Sequence, residues 1–257
     1  MERSQPVSPD AVVEDLRISS LPLAETAAFI CERAGSAGAP NVFTLNLDHI
    51  VKLRQHTAFR EAYGRAGLIT ADGFPIVLAC RLQGHRVTRV TGADLIAPIC
   101  AEAARSGKSI HLFGSSVQVL FKASQLLQDR NPGLRIAGVL APQQGFDPTS
   151  EDARRCVEAI AESGADLCFV ALGAPKQELF ADYGKSLVPN VSFVCIGGGL
   201  DFIAGTQMRA PHWMQRWSLE WLWRAASDPQ RLLYRYFLCL AALPGFLARA
   251  VLVAQRR

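Results

Sequence analysis

Tryptophan and arginine residues suited to a phosphorylated, partly apolar molecule are concentrated near the C-terminal end of this 257-residue chain. Trp213, Trp217 and Trp221 recur every four residues, which predicts that their indoles share one face of a helix. Three arginines follow: Arg224, Arg231 and Arg235. Guanidinium groups suit phosphate oxygens, and indoles suit a membrane interface or the face of a sugar. We therefore expect this segment to handle a phosphorylated, partly apolar substrate.

Three glycine-containing loops follow predicted strands, where open parallel sheets bind their ligands. The first contains Gly114, and the second contains Gly173 and Lys176. The third contains Gly198 and Asp201. Small residues leave backbone N–H groups accessible to phosphate, and Asp201 could bind a ribose hydroxyl or cap a helix. Such loops also form ordinary turns, and none has the GxGxxG spacing of dinucleotide sites.

Asp72 is a candidate general base because it directly follows a strand predicted at 67–70. At the rim of a sheet its carboxylate could accept a proton from a bound hydroxyl. A helix N-cap is the alternative, and position alone favours it. Asp94 likewise fits the cap of the helix that follows it. Thr44 and Asn46 end another predicted strand and could bind a sugar hydroxyl or close a turn.

The elements that must position these residues alternate along the chain. Strands are predicted at 41–46, 67–70, 109–113, 134–139, 167–172 and 191–196, and helices at 48–64, 73–83, 95–106, 117–130, 149–163 and 177–183. This alternation predicts an α/β, Rossmann-like fold with a largely parallel sheet flanked by helices. Strands stop near residue 204. We therefore expect a flexible N-terminal tail at 1–16, an α/β core at 17–204 and a helical, membrane-associating appendage at 205–257.

Composition excludes several classes of protein. The formal charge of +4, without a basic stripe, argues against a nucleic-acid partner. Seven cysteines are widely spaced, with no CxxC pair, which indicates buried thiols of a reducing compartment and no structural zinc. The first ten residues lack the apolar stretch of a secretory signal, so we expect a cytoplasmic protein.

The segment at 237–254 is strongly apolar but contains Pro244, Gly245 and Arg249. Those interruptions make it a poor candidate for crossing a bilayer, which needs about 20 clean apolar residues. Arginines on both sides of it favour a segment lying on an anionic membrane surface. A helical hairpin packed on the core is the alternative. The same apolar surface would also suit a second copy of the chain, so the oligomeric state stays open.

Six motifs occur in order between about residues 18 and 236. They are Thr44-Leu-Asn46, Thr70-Ala-Asp72-Gly73, Thr88-Arg89-Val-Thr-Gly-Ala-Asp94-Leu95, Leu172-Gly-Ala-Pro-Lys176-Gln177-Glu178, Gly197-Gly-Gly-Leu-Asp201, and Arg209-Ala-Pro211 continuing through Glu220-Trp221 to Pro229. With them the chain resembles the WecG/TagA/CpsF family of bacterial glycosyltransferases. The resemblance implies an inverting, metal-independent enzyme without a cofactor. Its partners would be a UDP-sugar donor, a polyprenyl-diphosphate-linked sugar acceptor and the inner face of the cell membrane.

The resemblance also implies roles for individual residues. Asp72 matches the proposed general base, which changes our interpretation of it from cap to base. The residues expected to bind substrate are Thr44, Asn46, Arg89, Gln177, Arg224, Arg231 and Arg235. The residues expected to bind the nucleotide come instead from the three strand-end loops and are Gly114, Gly173, Lys176, Glu178, Gly198 and Asp201. The product would be an exopolysaccharide, capsule or other envelope polysaccharide, and the alternative function is a non-catalytic, membrane-docked protein that binds sugar nucleotides.

Overall fold

A six-stranded parallel β-sheet forms the centre of the molecule. The computed structural model describes residues 11–211, 213–214, 220–227 and 229–255, without the side chains at 224, 226, 227 and 231. The strands are β3 (Val42–Leu45), β4 (Leu68–Ala71), β5 (Ser109–Gly114), β6 (Arg135–Leu140), β7 (Leu167–Ala171) and β8 (Ser192–Cys195), in the order β4-β3-β8-β7-β5-β6. Five of them are continuous buried runs, as expected for a parallel sheet covered on both faces. The predicted α/β fold is confirmed.

Helices cover both faces of the sheet and enclose two apolar clusters. One face carries α1 (Leu23–Arg33), α5 (Gly92–Ser106), α6 (Val117–Arg130) and α9 (Gly199–Ala204). The other carries α2 (Leu47–Gln55), α3 (Thr57–Gly64), α4 (Phe74–Leu82), α7 (Glu151–Glu162) and α8 (Lys176–Leu187). The single helix predicted at 48–64 is two helices, because His56 between them has an extended backbone.

A short antiparallel ribbon precedes the core. Strands β1 (Ala11–Val13) and β2 (Leu16–Ile18) are joined by a two-residue turn with positive φ at both Glu14 and Asp15. Ala11, Val13 and Ile18 are buried in the same apolar cluster as α2 and α4. Positions 11–16 of the expected flexible tail are therefore ordered, because the ribbon buries apolar side chains. Residues 1–10 lie outside the described part of the chain.

The C-terminal segment contains α10 (Glu220–Ser227) and the long helix α11 (Pro229–Gln255). Helix α11 runs unbroken through Pro244, so the hairpin alternative is wrong. Pro244 has no N–H group, so the carbonyl of Leu240, four residues earlier, lacks its helical hydrogen bond. Both residues are exposed. By length and composition Leu232–Gln255 could cross a membrane, with a mean hydropathy of 2.1, although a core helix of a soluble protein passes the same test.

One side of α11 packs on the α/β core and the other side is exposed. Cys239, Phe246 and Ala250 are buried against the cluster that includes α2 and α4. Leu233 and Phe237 lie on the exposed side. The division at residue 204 remains a prediction, since the appendage and the core share one apolar cluster.

Candidate active site

Asp72 lies at the carboxyl end of β4, beside the end of β3. Thr44 pairs with Thr70 in these strands, and the Asp72 N–H donates to the carbonyl of Leu45 at 2.7 Å. The N-cap of α4 is Gly73, with φ 97° and no side-chain capping bond. Asp72 therefore lies one position before the N-cap of α4. Its half-buried carboxyl group lies at the rim where the general base was expected.

Thr44 and Asn46 lie next to Asp72 at the same edge. Thr44 is buried within β3, and Asn46 caps α2 by accepting the His49 N–H on Oδ1 at 3.0 Å. Capping uses only the amide oxygen of Asn46. This bond agrees with the interpretation that Asn46 closes a turn. The Nδ2 group of Asn46 takes no part in the cap.

Gln177 connects the loop after β7 to the loop after β8. Its Oε1 accepts the Gly197 N–H at 3.0 Å, and its Nε2 donates to Oε1 of Glu178 at 2.8 Å. Strand β8 lies between β7 and β3, so this bridge stands close to the Thr44–Asn46 segment. Glu178 is 0% exposed, so its carboxyl group contacts protein groups and not the open edge of the sheet.

A buried polar cluster lies behind these residues. His49 Nδ1 is 2.6 Å from the Tyr63 hydroxyl and 4.0 Å from Oε1 of Glu178. Burial lowers the pKa of His49 to about 3 and raises the pKa of Glu178 to about 7. Burial also raises the pKa of Tyr63, and the negative charges of Glu178 and Asp72 raise it further.

Arg235 brings a cation from α11 to this region. Its Nε is 3.3 Å from Oδ1 of Asp48, whose Oδ2 accepts from Lys52 at 2.5 Å. Lys52 also donates to the carbonyl of Ala174, in the loop after β7, at 3.2 Å. The predicted substrate arginine is thus joined, through Asp48 and Lys52, to a loop at the carboxyl edge.

Arg89 belongs to a second charged group that joins the appendage to the core. Arg89 Nη2 is 3.9 Å from Oδ2 of Asp94, and Arg209 Nη2 donates to Oδ1 of Asp94 at 2.5 Å. Arg209 Nε is 3.8 Å from Oε1 of Glu220 in α10. The N-cap of α5 is Thr91, which accepts the Asp94 N–H, so the expected capping role of Asp94 is wrong.

The residues predicted to bind the nucleotide lie further along the edge. Gly114 ends β5, where a Cβ atom would stand 2.4 Å from the carbonyl oxygen of Ala171. Ser115 Oγ donates to Asp201 at 3.4 Å, and this bond joins the loops after β5 and β8. The other glycines of the set, Gly173 and Gly198, lie in the loops after β7 and β8. Lys176 instead donates to the carbonyl of Phe146 at 2.8 Å.

Most of the predicted residues therefore form two groups along one edge of the sheet. The substrate group, with Thr44, Asn46 and Asp72, follows β3 and β4, and the nucleotide group, with Gly114, Gly173, Gly198 and Asp201, follows β5, β7 and β8. Asp72 follows β4 and Gly114 ends β5, four strand positions apart. At about 4.8 Å per strand this separation is about 19 Å. Two cavities, of about 270 and 480 Å³, lie elsewhere and contain none of the predicted site residues among their lining residues. The candidate site is thus the carboxyl edge itself.

Comparison with known proteins decides the family. Residues 12–257 match the glycosyl transferase WecG/TagA/CpsF family. The chain belongs to this family of glycosyltransferases.

Curated relatives carry more detailed names. An N-acetylglucosaminyldiphosphoundecaprenol N-acetyl-β-D-mannosaminyltransferase of Bacillus spizizenii is 29% identical over 191 residues, which are 74% of this chain and 72% of the relative. A protein of the same name from Bacillus subtilis is 31% identical over 167 residues, which are 65% of this chain and 63% of the relative.

Two predicted arginines of this glycosyltransferase cannot be placed at the site. The side chains of Arg224 and Arg231, like the whole of Trp217, lie outside the described residues. Trp213 and Trp221 are both exposed, and the Trp221 ring contacts Tyr236 of α11 with 5.7 Å between ring centroids. The single tryptophan face predicted from the spacing remains a prediction.

Sequence reasoning missed the charged and polar residues that support the glycosyltransferase site. Asp48, Tyr63 and Arg209 contact predicted site residues or their neighbours through side chains distant in sequence. Arg209 begins the last of the six motifs, and Asp48 and Lys52 have the i,i+4 spacing of a helical ion pair. Such a pair usually lies on a solvated surface, whereas here the acid is buried.

Proposed function

We propose that this glycosyltransferase moves a hexose-type sugar from a UDP-sugar to a polyprenyl-diphosphate-linked sugar in the synthesis of an envelope polysaccharide. The names of the two Bacillus relatives support the acceptor class, since both denote transfer to a sugar on diphosphoundecaprenol. The same names specify a β-linked product. Formation of a β-linkage from an α-linked donor requires inversion, which one in-line displacement achieves.

The position of Asp72 is the observation that carries the proposal. As the acceptor hydroxyl oxygen bonds to the anomeric carbon of the donor, its proton passes to the Asp72 carboxylate. The bond from the anomeric carbon to the diphosphate oxygen breaks at the same time, and UDP leaves. One carboxylate is sufficient for this displacement. Thr44 and Asn46 lie beside Asp72 and are proposed to orient the sugar hydroxyls.

Negative charge develops on the departing diphosphate and needs stabilisation. We assign this role to Arg89 and Arg235, with Arg224 and Arg231 as further candidates. Gln177 completes the substrate pocket. Preorganised cations lower the barrier because they do not have to reorganise during the reaction.

The nucleotide is proposed to lie along the edge from β8 towards β5, against Gly114, Gly173, Gly198 and Asp201. The separation of about 19 Å between the ends of β4 and β5 suits an extended nucleotide sugar whose anomeric carbon faces Asp72. At Gly114 the neighbouring strand leaves no room for a side chain, because a Cβ atom would collide with the carbonyl oxygen of Ala171. Lys176 would act on the conformation of the loop at Phe146, because its ammonium group is bonded there.

The exposed side of α11 is proposed to rest on the inner face of the cell membrane, where the lipid-linked acceptor resides. Leu233, Phe237 and Leu240 are exposed apolar residues of this helix, and Trp213 and Trp221 are exposed nearby in sequence. Amphipathic anchoring of this kind buries apolar side chains at the headgroup boundary. A peripheral enzyme bound in this way would meet its acceptor without spanning the bilayer.

Transfer from a panel of UDP-sugars to a short-chain polyprenyl-diphosphate-linked monosaccharide tests the proposal. The assay is run with EDTA, on the wild type and on Asp72→Asn. We expect transfer that survives EDTA and falls at least about 10³-fold in the variant, with the melting temperature retained. Near-normal transfer by Asp72→Asn would remove it as the base. UDP binding without transfer from any donor would favour the non-catalytic binding protein.

A further inference from the structure

We infer that Glu178 is a positioning residue, which orients the amide of Gln177 and thereby fixes the backbone of Gly197 at the carboxyl end of β8. The kinetic part of this inference rests on the proposed function. The structural part does not, because it concerns the conformation of a loop. Glu178 would therefore act on the site through Gln177 and not by contact with the nucleotide.

Hydrogen-bond chemistry fixes the direction of the chain of contacts. The Gly197 N–H can only donate, so the Gln177 oxygen must face it, as observed at 3.0 Å. The Gln177 Nε2 group then necessarily faces Glu178, whose Oε1 accepts from it at 2.8 Å. A side chain without an acceptor at position 178 would leave the Nε2 group unpaired. The amide could then rotate away from Gly197.

The burial of Glu178 argues against a role in packing alone. Its side chain is 0% exposed and Gln177 is 3% exposed. Among the described residues, Oε2 of Glu178 has no hydrogen-bond partner. A buried carboxyl group with an unpaired oxygen costs stability that an apolar side chain of similar size would not. A positioning function accounts for a polar group at this place.

The loop held by this contact lies at the centre of the candidate site. Gly197 has a φ of 56° and opens the run of three glycines after β8. Strand β8 lies between β3, which leads to Asn46, and β7, which leads to Gly173. Three glycines provide little conformational restraint of their own. A fixed hydrogen bond from the first of them therefore sets where the loop stands between the two groups of site residues.

Three single variants test the inference. Glu178→Gln keeps an acceptor oxygen for Gln177, whereas Glu178→Met removes it at similar volume. Gln177→Leu breaks the same link from the other side and leaves Glu178 in place. The control is Ser192→Ala, because the Ser192 hydroxyl is also fully buried in β8 and has no hydrogen-bond partner in the described part of the chain.

Amide hydrogen exchange at Gly197 is the first readout, measured without substrate. We expect about tenfold faster exchange in Glu178→Met and Gln177→Leu, and less than about twofold change in Glu178→Gln and Ser192→Ala. Gln177→Leu removes the acceptor of the Gly197 N–H directly and so gives the exchange rate expected when the link is lost. Unchanged exchange in Glu178→Met beside faster exchange in Gln177→Leu would overturn the inference. If Glu178→Met does not fold, Glu178→Leu takes its place, since it also lacks an acceptor.

Transfer kinetics are the second readout. We expect kcat to fall about 30-fold in Glu178→Met with KM changed less than about threefold, and substantial recovery in Glu178→Gln. The double variant Gln177→Leu/Glu178→Met should lose no more than the worse single variant. Equal losses in Glu178→Gln and Glu178→Met would contradict orientation by an acceptor. If the wild type transfers no sugar, the proposed function fails, while the exchange at Gly197 still decides the inference.

Discussion

Arg235 of the C-terminal helix α11 forms an ion pair with Asp48 of α2, with 3.3 Å between Nε and Oδ1. The other Asp48 oxygen accepts from Lys52, which also holds the carbonyl of Ala174. One buried carboxylate therefore connects the appendage to a loop at the carboxyl edge. Docking of α11 and the geometry of the proposed site are linked through this residue.

Replacing Asp48 by Asn is expected to lower transfer about tenfold and to increase protease cleavage of α11. The change leaves Arg235 and Lys52 without their counter-charge, and a partly buried unpaired cation is unfavourable. Glu14→Gln is the matched control, because Glu14 pairs with Arg249 of α11 at 3.4 Å, away from the site. We expect Glu14→Gln to change transfer less than about twofold. Equal losses of transfer in the two variants would contradict a specific role for Asp48.

The contact between Asp94 and Arg209 is expected to contribute to stability. Its Nη2–Oδ1 distance is 2.5 Å, and both side chains are largely buried. A double-mutant cycle with Asp94→Ala and Arg209→Ala, measured by urea unfolding, should give a coupling of about 1–2 kcal/mol. The same cycle at Glu102 and Arg105, where the arginine is exposed, should give about 0.5 kcal/mol or less. Similar values for the two pairs would show that the appendage is not held by this contact.

His111 is expected to make the fold less stable as the pH falls. Burial lowers the pKa of this β5 side chain from 6.5 to about 4, so only the unfolded chain takes up its proton between these values. The contribution of His111 to the free energy of unfolding should therefore fall as the pH decreases from 6.5 to 4, by at most about 1.4 kcal/mol per pH unit. In urea unfolding, His111→Asn should lose less stability between pH 7.5 and pH 5 than the wild type does. His49, with its pKa lowered to about 3, contributes a slope of the same sign, whereas Glu178, with its pKa raised to about 7, contributes one of the opposite sign in both proteins.

Phe237→Glu is expected to prevent the protein from floating with anionic liposomes. Phe237 is 66% exposed on α11, and a carboxylate there would enter the headgroup region. Phe121→Glu is the control, since Phe121 is 55% exposed on α6, on the other face of the sheet. We expect this variant to float as the wild type does. If Phe237→Glu instead changes only the elution volume in size-exclusion chromatography, the exposed side of α11 binds a second copy of the chain.

Sequence patterns predicted most of the sheet because each strand is a local apolar run. The strand at 67–70 was predicted within one residue of β4, and helix 117–130 agrees with α6. Elements whose form depends on distant contacts were predicted less well. The ribbon at Ala11–Ile18 is ordered by burial against α2 and α4, and α11 continues through Pro244 because its affected carbonyl lies on the exposed side.

The candidate site shows the same contrast. The strand-end position of Asp72 was readable from sequence, but the backbone conformation that makes Gly73 the N-cap of α4 was not. The pairing of Glu178 with Gln177 was hidden, because adjacent residues on a helix normally face different directions. Asp48 and Arg235 belong to helices far apart in the chain, so no local pattern could join them.

The pairing of β3 with β8, through Val42 and Val194, has a consequence for how the molecule folds. The two strands come from opposite ends of the α/β core, so they cannot meet until the intervening crossovers have been arranged. Asp72 follows β4, near the N-terminal end of the core, and Gly197 follows β8, near its C-terminal end. Long-range parallel pairing of this kind slows folding, because the entropy of closing the loop is lost before the contacts form. We therefore expect catalytic competence to appear in the slowest refolding phase, after most of the helical content has been regained.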